Sequence, residues 1–349
     1  MWFKLTYSLM GMHLSLEGDA PSRISLSSEE GEIVFWMRTF DQQNIPAELC
    51  CDAVLKRNLR PEVEDMFNSL VKGVLPQDTP PVVELPFNSF VDANGSIREK
   101  YVVPLSIMPR SFQGISREVD SKLSDLARSF IKTLRWVQGA SSTQSPFGFV
   151  GFYWSTDKSS WRSMPHELSA RVEQLRPIDV SPEAMDKVRE VWASDDAEPL
   201  GHELIREALD IASTNPRSAL LIGMSALETG LKDYVGFLVP NSDILLEKMQ
   251  SPSVVDMAQQ VVPALHAAMK VESSEFPLPK PGREFLKKWQ SQRNQVAHGT
   301  KKTVDVEDLI RFLKFTRSLL YKLDICRGRR WAEPLASVDV DAALMAPEE

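Results

Sequence analysis

The chain has few cysteines, no excess of positive charge and no long apolar run. Three cysteines among 349 residues, Cys50, Cys51 and Cys326, are too few and wrongly spaced for a disulfide framework or a zinc site. With 40 Lys and Arg against 48 Asp and Glu, the net charge is −8, so a nucleic-acid site can only be a local patch. No window of about 18 apolar residues is present, so no transmembrane helix is expected. We therefore expect a cytoplasmic protein with reduced thiols and no membrane partner.

Motifs that hold metal ions or cofactors are also missing. His13, His166, His202 and His266 have no metal-ligand spacing to one another. No glycine-rich loop is present that could surround a phosphate. We therefore expect neither a metal site nor a cofactor, and the missing ligand spacing argues against a metal-dependent hydrolase.

The first half of the chain combines strand and helix patterns. Apolar residues alternate with polar ones in short segments that predict an antiparallel meander: 3–9, 12–16, 24–26 and 33–37. A buried strand is predicted over 147–154, and helices over 61–71 and 119–137, where apolar residues recur at helical spacing. Gly139 is placed to end the second helix. We predict an α+β domain, an antiparallel sheet with helices, over residues 1–195, with a sensing, partner-binding or regulatory role.

After residue 201 the apolar spacing is that of helices only. Five amphipathic segments with short connections predict a compact all-α bundle over residues 201–326. Two domains agree with the length of the chain, at roughly 150 residues for each domain. Residues 327–349 change from basic to acidic and are predicted to form a flexible tail.

Local signals mark where two of these helices begin and where one of them packs. Asn215 and Asp305 stand at N-cap positions, and the proline after Asn215 suits a first helical turn. Gly223, Ala226 and Gly230 are small residues of the second helix in the bundle. Their size predicts that a neighbouring helix approaches closely.

One short motif near the end of the fourth predicted helix carries groups suited to phosphodiester chemistry: Arg293, Asn294 and His298. Arginine offers a charged fork to phosphate oxygens, and histidine moves protons near neutral pH. In a regular helix, residues five apart point about 140° from each other, so we expect the length of the Arg293 side chain and fraying next to Gly299 to bring Arg293, Asn294 and His298 together. The competing interpretation is a surface arginine and a histidine that bonds the last helix carbonyls.

The helical region resembles the HEPN family (higher eukaryotes and prokaryotes nucleotide-binding). The family motif is an arginine, a polar residue, three further residues and a histidine near the end of a core helix, and Arg293, Asn294 and His298 match it position by position. The segment 217–228, in which Glu228 follows an Ala-Leu pair, is similar to an earlier core helix of the family. The resemblance covers the last third of the chain, and we identify none for the residues before it.

The resemblance implies a metal-independent endoribonuclease, of the kind found in toxins and antiviral defence effectors. His298 would transfer the proton as the ribose 2′-OH attacks the phosphate, Arg293 would stabilise the charge of the phosphorane, and Asn294 would orient either group. For Glu228 two positions are open, as an anchor of Arg293 across the bundle or at the surface. The products would be a 2′,3′-cyclic phosphate and a 5′-OH, and DNA would be inert. Two protomers would pair so that both motifs face one cleft, and the first domain would regulate the nuclease or receive its trigger.

A basic segment accompanies the motif. From Arg283 to Lys302 six basic residues stand against a single acid, Glu284. Four of them are candidates for binding the backbone of single-stranded RNA: Lys287, Lys288, Lys301 and Lys302. The other interpretation of the segment is a solvated helix face.

A non-enzymatic function fits the same resemblance, because many HEPN-like domains are inactive dimerisation or nucleotide-binding modules. Arg293 and His298 would then be structural, and the first domain would bind a ligand. The sequence leaves both functions open and favours the nuclease.

Overall fold

The computed structural model describes the following residues, to which every structural statement below refers: 1–9, 12–14, 23–38, 48–71, 89–91, 97–99, 105, 108–140, 145–164, 178–180, 182–194, 196–242, 252–271, 276–300 and 303–337. The chain divides into two compact units. The first contains Met1–Thr133 and Gln144–Asp196, and the second contains Leu134–Thr143 and Ala197–Glu349.

The first unit is built on an antiparallel sheet. Its strands are β1 (Trp2–Leu9), β2 (Met12–Leu14), β3 (Arg23–Ser27), β4 (Glu32–Arg38), β5 (Glu48–Lys56), β6 (Ser89–Val91), β7 (Ile97–Glu99), β8 (Phe147–Ser155), β9 (Arg162–Ser163) and β10 (Ile178–Val180). Six of them form one sheet in the order β3-β4-β5-β1-β8-β9. β1 lies inside it, with Leu5 opposite Ala53 of β5 on one side and Phe152 of β8 on the other. The predicted antiparallel sheet is confirmed.

The order of the strands differs from the predicted meander. β1 lies between β5 and β8, and β2 leaves the sheet to pair in parallel with β10. Alternation shows which residues face the core, but the same pattern is compatible with several neighbours, so it does not determine which strands pair. The buried strand predicted over 147–154 is confirmed as β8.

Three helices accompany the sheet: α1 (Pro61–Val71), α2 (Arg110–Gln138) and α3 (Pro182–Ala193). Rings of the sheet pack against rings of α1 and α2, since the ring centres of Phe3 and Phe67 are 5.7 Å apart and those of Phe35 and Phe130 are 4.7 Å apart. α2 ends as predicted at Gly139, whose φ of 65° lies in the left-handed region that glycine favours.

The second unit is helical. Its helices are α4 (Leu200–Ile211), α5 (Pro216–Leu238), α6, α7 (Lys280–Ala297), α8 (Val306–Cys326) and α9 (Glu333–Ser337). α6 consists of three consecutive pieces, which are Val254–Asp256, a π-helical turn Met257–Val261, and Val262–Met269. A sheet-containing unit followed by a helical one is therefore observed, and the likeness to a HEPN bundle stays a prediction.

The N-caps of α5 and α8 are the predicted ones. Oδ1 of Asn215 accepts the N–H of Ser218 at 3.4 Å, and Oδ1 of Asp305 accepts the N–H of Asp308 at 2.9 Å. Each bond satisfies a backbone donor that the first turn of a helix leaves free. Local sequence therefore determines where these two helices begin.

The small residues of α5 lie against α8. A Cβ atom at Gly223 would be 2.3 Å from Cδ2 of Leu313, and one at Gly230 would be 2.2 Å from Cδ2 of Leu320. These glycines allow α8 to approach as closely as predicted. Because the residue numbers rise together along both helices, α5 and α8 run parallel.

The predicted flexible tail is wrong for residues 327–337. These residues form a short 3-10 turn and α9, with Trp331 and Ala336 buried. The ring centre of Trp331 lies 4.9 Å from that of Trp136. The sequence does not indicate this packing, because Trp331 is a single aromatic residue outside any helical periodicity. Residues 338–349 lie outside the described part of the chain.

The division into units also differs in one segment from the predicted domains. The first unit ends at Asp196, close to the predicted end at residue 195, but Leu134–Thr143 belongs to the second unit. The last residues of α2 are therefore part of the helical unit. The periodicity of one long helix does not show where a compact unit stops, which is why the sequence missed this segment.

Candidate functional site

α7 ends at the predicted motif, with His298 directly after its last residue. Gly299 has a φ of 73° and donates its N–H to the carbonyl of Val296 at 3.1 Å, while Thr300 donates its N–H to the carbonyl of Gln295 at 2.9 Å. These two bonds form a Schellman motif, which closes a helix with a glycine. The sequence therefore holds His298 at a defined helix end rather than on a frayed turn.

The three motif side chains lie at the surface of this helix end. His298 and Asn294 are exposed, and Arg293 is half-buried. Nη1 of Arg293 donates to Oδ1 of Asn294 at 3.2 Å, and the N–H of His298 donates to the carbonyl of Asn294 at 3.0 Å. Asn294 thus contacts Arg293 through its side chain and His298 through its backbone. A phosphate can approach the motif from solvent.

Arg293 continues the buried side of α7. It follows Trp289 by four residues and Leu286 by seven, spacings that fall on one face of a helix, and both of those residues are buried. The guanidinium therefore lies where the core of the bundle meets solvent. Within the described residues no carboxylate forms an ion pair with it. An arginine in this position can bind an anion from solution.

Glu228 does not take the expected place beside Arg293. Its Oε1 lies 2.7 Å from Nζ of Lys232, one turn later on α5. Opposite charges four residues apart on a helix meet without any tertiary contact, and this nearer partner takes the carboxylate. The described side-chain hydrogen bond of Arg293 goes to its neighbour Asn294 instead.

The predicted RNA-backbone residues differ in their availability. Nζ of Lys287 lies 3.5 Å from Oε1 of Glu284. Lys288 is exposed, and in the part of the chain that the structure describes it has no carboxylate partner. Lys301 and Lys302 lie outside the described residues. Lys288 is therefore available to bind an anion.

A second set of polar and charged groups surrounds the buried carboxylate of Asp324 in the same unit, and sequence reasoning missed it. The carboxylate of Asp324 lies 2.9 Å from Nε2 of His202 and accepts hydrogen bonds from Nη1 of Arg329 at 2.7 Å and Nε1 of Trp136 at 3.1 Å. Burial alone raises the pKa of Asp324, but the charges and hydrogen bonds of His202 and Arg329 outweigh this and hold the pKa below its usual value. We call these four residues the Asp324 network.

Glu198 and Arg206 form a further buried ion pair. Burial raises the pKa of Glu198, and the hydrogen bond and charge of Arg206 offset this only in part. Oε1 of Glu198 has no hydrogen-bond partner in the described part of the chain. Glu198, His202 and Arg206 are spaced four residues apart, and this run of ionisable residues is the signal that could have indicated a buried polar side.

The histidines of the second unit differ in their exposure to solvent. His202 and Asp324 are 3% and 2% exposed, so a substrate cannot reach them. His266 is buried as well, with Nε2 at 2.7 Å from Oη of Tyr234, and burial lowers its pKa. Of the histidine side chains whose burial the structure describes, His298 is the exposed one.

Among the described residues, no three His, Cys, Asp or Glu side chains are grouped so that they could hold a metal ion. None of the helices in the described ranges has both the length and the apolar character needed to cross a membrane. No family model, curated protein or solved structure matches the chain. The functional assignment therefore depends on the residues of the motif and on their surroundings.

Proposed function

We propose that the helical unit is a HEPN-type endoribonuclease that cleaves single-stranded RNA without a metal ion. The observation that carries the proposal is the placement of Arg293 and His298 at one solvent-exposed helix end, closed by a defined cap. Lys288 adds a cation suited to an RNA backbone. By the family resemblance, the protein is a regulated cytoplasmic toxin or antiviral defence effector, with the first unit as its sensor or regulator.

In the proposed reaction, the imidazole of His298 removes the proton of a ribose 2′-OH. The 2′-oxygen attacks the adjacent phosphorus, forming one P–O bond as the bond to the 5′-oxygen breaks. Arg293 binds the non-bridging oxygens, whose negative charge increases in the phosphorane. The leaving 5′-oxygen takes up a proton, so the products are a 2′,3′-cyclic phosphate and a 5′-OH.

The reaction requires a base on one side of the phosphorus and an acid on the other, because the attacking and leaving oxygens are in line. One imidazole cannot occupy both positions at once. A second copy of the chain, paired through the helical unit, would supply the second imidazole. We therefore propose a homodimer as the active form.

The second candidate function is an inactive dimerisation or nucleotide-binding module attached to a ligand-binding first unit. One observation favours it, since no hydrogen bond joins the side chains of Arg293 and His298 among the described residues. In this case the two residues bind a phosphate group, and no bond is broken.

The test is incubation of the purified full chain with 5′-labelled single-stranded RNA in the presence of EDTA. We expect cleavage that leaves a 2′,3′-cyclic phosphate. His298→Ala should reduce the rate by about 10²- to 10⁴-fold, as for a lost general base. Arg293→Ala should reduce it by about 10²- to 10³-fold, as for a lost charge-stabilising donor. A DNA strand of the same sequence should stay intact.

Arg311→Ala is the matched control, because Arg311 is an exposed arginine of α8 whose Nη1 lies 3.5 Å from Oδ1 of Asp308. This variant should cleave like the wild type. Equal rates for the wild type, His298→Ala and Arg293→Ala would identify a contaminating nuclease and reject the proposal. Nucleotide binding without cleavage would support the second candidate.

A further inference from the structure

Three helices of the second unit meet in one layer close to the motif. The ring of Phe312 on α8 stacks on Trp289 of α7, with centres 4.9 Å apart, and its Cε1 lies 3.5 Å from the Cβ position at Gly223 of α5. Further along α8, the ring of Phe315 lies 5.2 Å from Phe285, which precedes Trp289 on α7. α7 therefore runs antiparallel to α8 and to α5.

The end of α7 and the start of α5 lie on the same side of this layer. At about 1.5 Å of rise per residue, Arg293 stands about 6 Å beyond the layer and His298 about 13 Å beyond it. Arg217, the second residue of α5, stands about 9 Å beyond the layer in the same direction. Arg217 is therefore at the height of the motif.

Arg217 also lies on the side of α5 that faces α7. α8 packs at the glycines of α5, and α4 packs beside it, where a Cβ at Gly201 would lie 3.0 Å from the carbonyl of Ala226. α6 meets α5 at Tyr234, towards the far end of α5. The remaining buried side of α5, which carries Met224, therefore faces α7, which packs against it. Arg217 precedes Met224 by seven residues and shares its side.

Within the part of the chain that the structure describes, neither arginine has a carboxylate partner. Arg217 is exposed, and within the described residues its side chain makes no ion pair or hydrogen bond. The described hydrogen bond of Arg293 goes to the neutral Asn294. A cation in the first turn of a helix is disfavoured by the helix dipole, and two nearby cations repel each other. Two such arginines at the same end of neighbouring helices can bind an anion.

The start of α8, at the same end of the bundle, has the opposite charge. Asp305 caps this helix, and its first turn carries Glu307 and Asp308. A phosphate backbone is repelled by these carboxylates, whereas the start of α5 has no acid in its first turn. The charges therefore favour the α5 side over the α8 side for a polyanion.

We infer that Arg217 binds the phosphate next to the scissile one, so that the RNA strand crosses this end of the bundle over the start of α5. The inference rests on the proposed function, because RNA is the ligand. Arg217 holds the backbone while Arg293 and His298 act on the scissile phosphate. It contributes to affinity and not to the chemical step.

The test is steady-state kinetics of the full chain with a short fluorescent single-stranded RNA. Arg217→Ala should raise KM about 10-fold or more, as for a lost charge-assisted contact, and leave kcat within about threefold of the wild type. The slope of log KM against log salt concentration should fall by about 0.7, the value for one phosphate contact of a single strand. Arg217→Lys should keep the salt slope and regain part of the affinity.

Arg311→Ala and Glu307→Gln are matched controls, because both residues are exposed near the start of α8. Both variants should keep the KM of the wild type. A rise in KM for Arg311→Ala, without one for Arg217→Ala, would place the strand over α8 and overturn the inference. Arg217→Ala should keep the circular dichroism spectrum of the wild type, since it replaces an exposed side chain by a better helix former.

A binding measurement separates this inference from the proposed function. Fluorescence anisotropy with 2′-O-methyl RNA reports Kd whether or not the chain is a nuclease, because a blocked 2′-oxygen cannot attack. A Kd about 10-fold higher for Arg217→Ala supports the inference. An unchanged Kd overturns it, whatever His298→Ala does to cleavage. If the wild-type chain cleaves no RNA, the proposed nuclease function is rejected. The effect of Arg217→Ala on the Kd then still tests whether Arg217 binds RNA.

Discussion

Two histidines of the helical unit have opposite surroundings. His298 stands at an exposed helix end, near an arginine for which the described residues provide no carboxylate partner, whereas His202 is buried against Asp324. A substrate can reach the first and displace water from it. The second already has its partner inside the protein, so it joins helices instead of binding a ligand. Exposure therefore leaves His298 accessible to a ligand, whereas burial makes His202 part of the packing of the unit.

Removing the carboxylate of Asp324 should have the largest effect on stability. Asp324→Asn removes the buried negative charge that His202 and Arg329 contact, and breaking a buried pair in this way costs about 3–5 kcal/mol. Urea unfolding followed by circular dichroism measures the loss as a change in the free energy of unfolding.

Exposed variants of the same unit provide the control for this comparison. Asp308→Asn removes a carboxylate whose side chain is 45% exposed, and should change the free energy of unfolding by less than about 1 kcal/mol. His298→Ala should change it by less than about 0.5 kcal/mol. A loss for His298→Ala as large as that for Asp324→Asn would contradict the contrast between the two histidines.

An intermediate effect is expected from Gly230→Ala, which tests the close packing of α5 on α8. The added methyl group would lie 2.2 Å from Cδ2 of Leu320, so this buried side chain must move. Overpacking costs about 1–3 kcal/mol, and the better helix propensity of alanine offsets about 1 kcal/mol of it. We expect a net loss of up to about 2 kcal/mol in urea unfolding.

Gly282→Ala is the matched control for this packing prediction. Its new methyl group would lie 3.6 Å or more from the nearest side chain, which is ordinary van der Waals contact. This variant should be as stable as the wild type or slightly more stable. Equal free energies of unfolding for Gly230→Ala and Gly282→Ala would contradict the prediction that only Gly230 is needed for close helix packing.

The smallest effect is a pH dependence caused by a buried histidine. Burial lowers the pKa of His266 from its ordinary value of 6.5. Between the lowered value and 6.5, the unfolded chain binds a proton that the folded chain does not. Stability present above about pH 6.5 is therefore lost as the pH falls towards the folded pKa. His266→Phe should flatten this part of the curve of unfolding free energy against pH. A curve as steep as that of the wild type would argue against a buried neutral imidazole.

Features that depend on neighbours in the sequence were predicted well. Asn215 and Asp305 cap their helices through N–H groups three residues away, and Gly299 ends α7 through bonds within a few residues of itself. The position of His298 follows from that cap. The sequence therefore placed the end of α7 correctly, but the fraying expected next to Gly299 is not observed.

Features that depend on distant contacts were not predicted. Trp136 and Asp324 are hydrogen-bonded although 188 residues separate them, and no local pattern relates the two. The strands that pair with β1 were not predicted either. The alternation of apolar and polar residues indicates which face of a strand is buried, but it does not indicate which strand lies beside it. For Glu228 the distant partner Arg293 was one of two open positions, and the nearer Lys232 on its own helix takes the carboxylate.

The last turn of α2 limits how this polypeptide can be divided. Trp136 in that turn is completely buried, and its carbonyl accepts a hydrogen bond from Oη of Tyr321 at 2.8 Å. A fragment that begins at Ala197 would lack this indole and leave a hole in its own interior. Proteolysis after Asp196 therefore cannot liberate a complete helical unit.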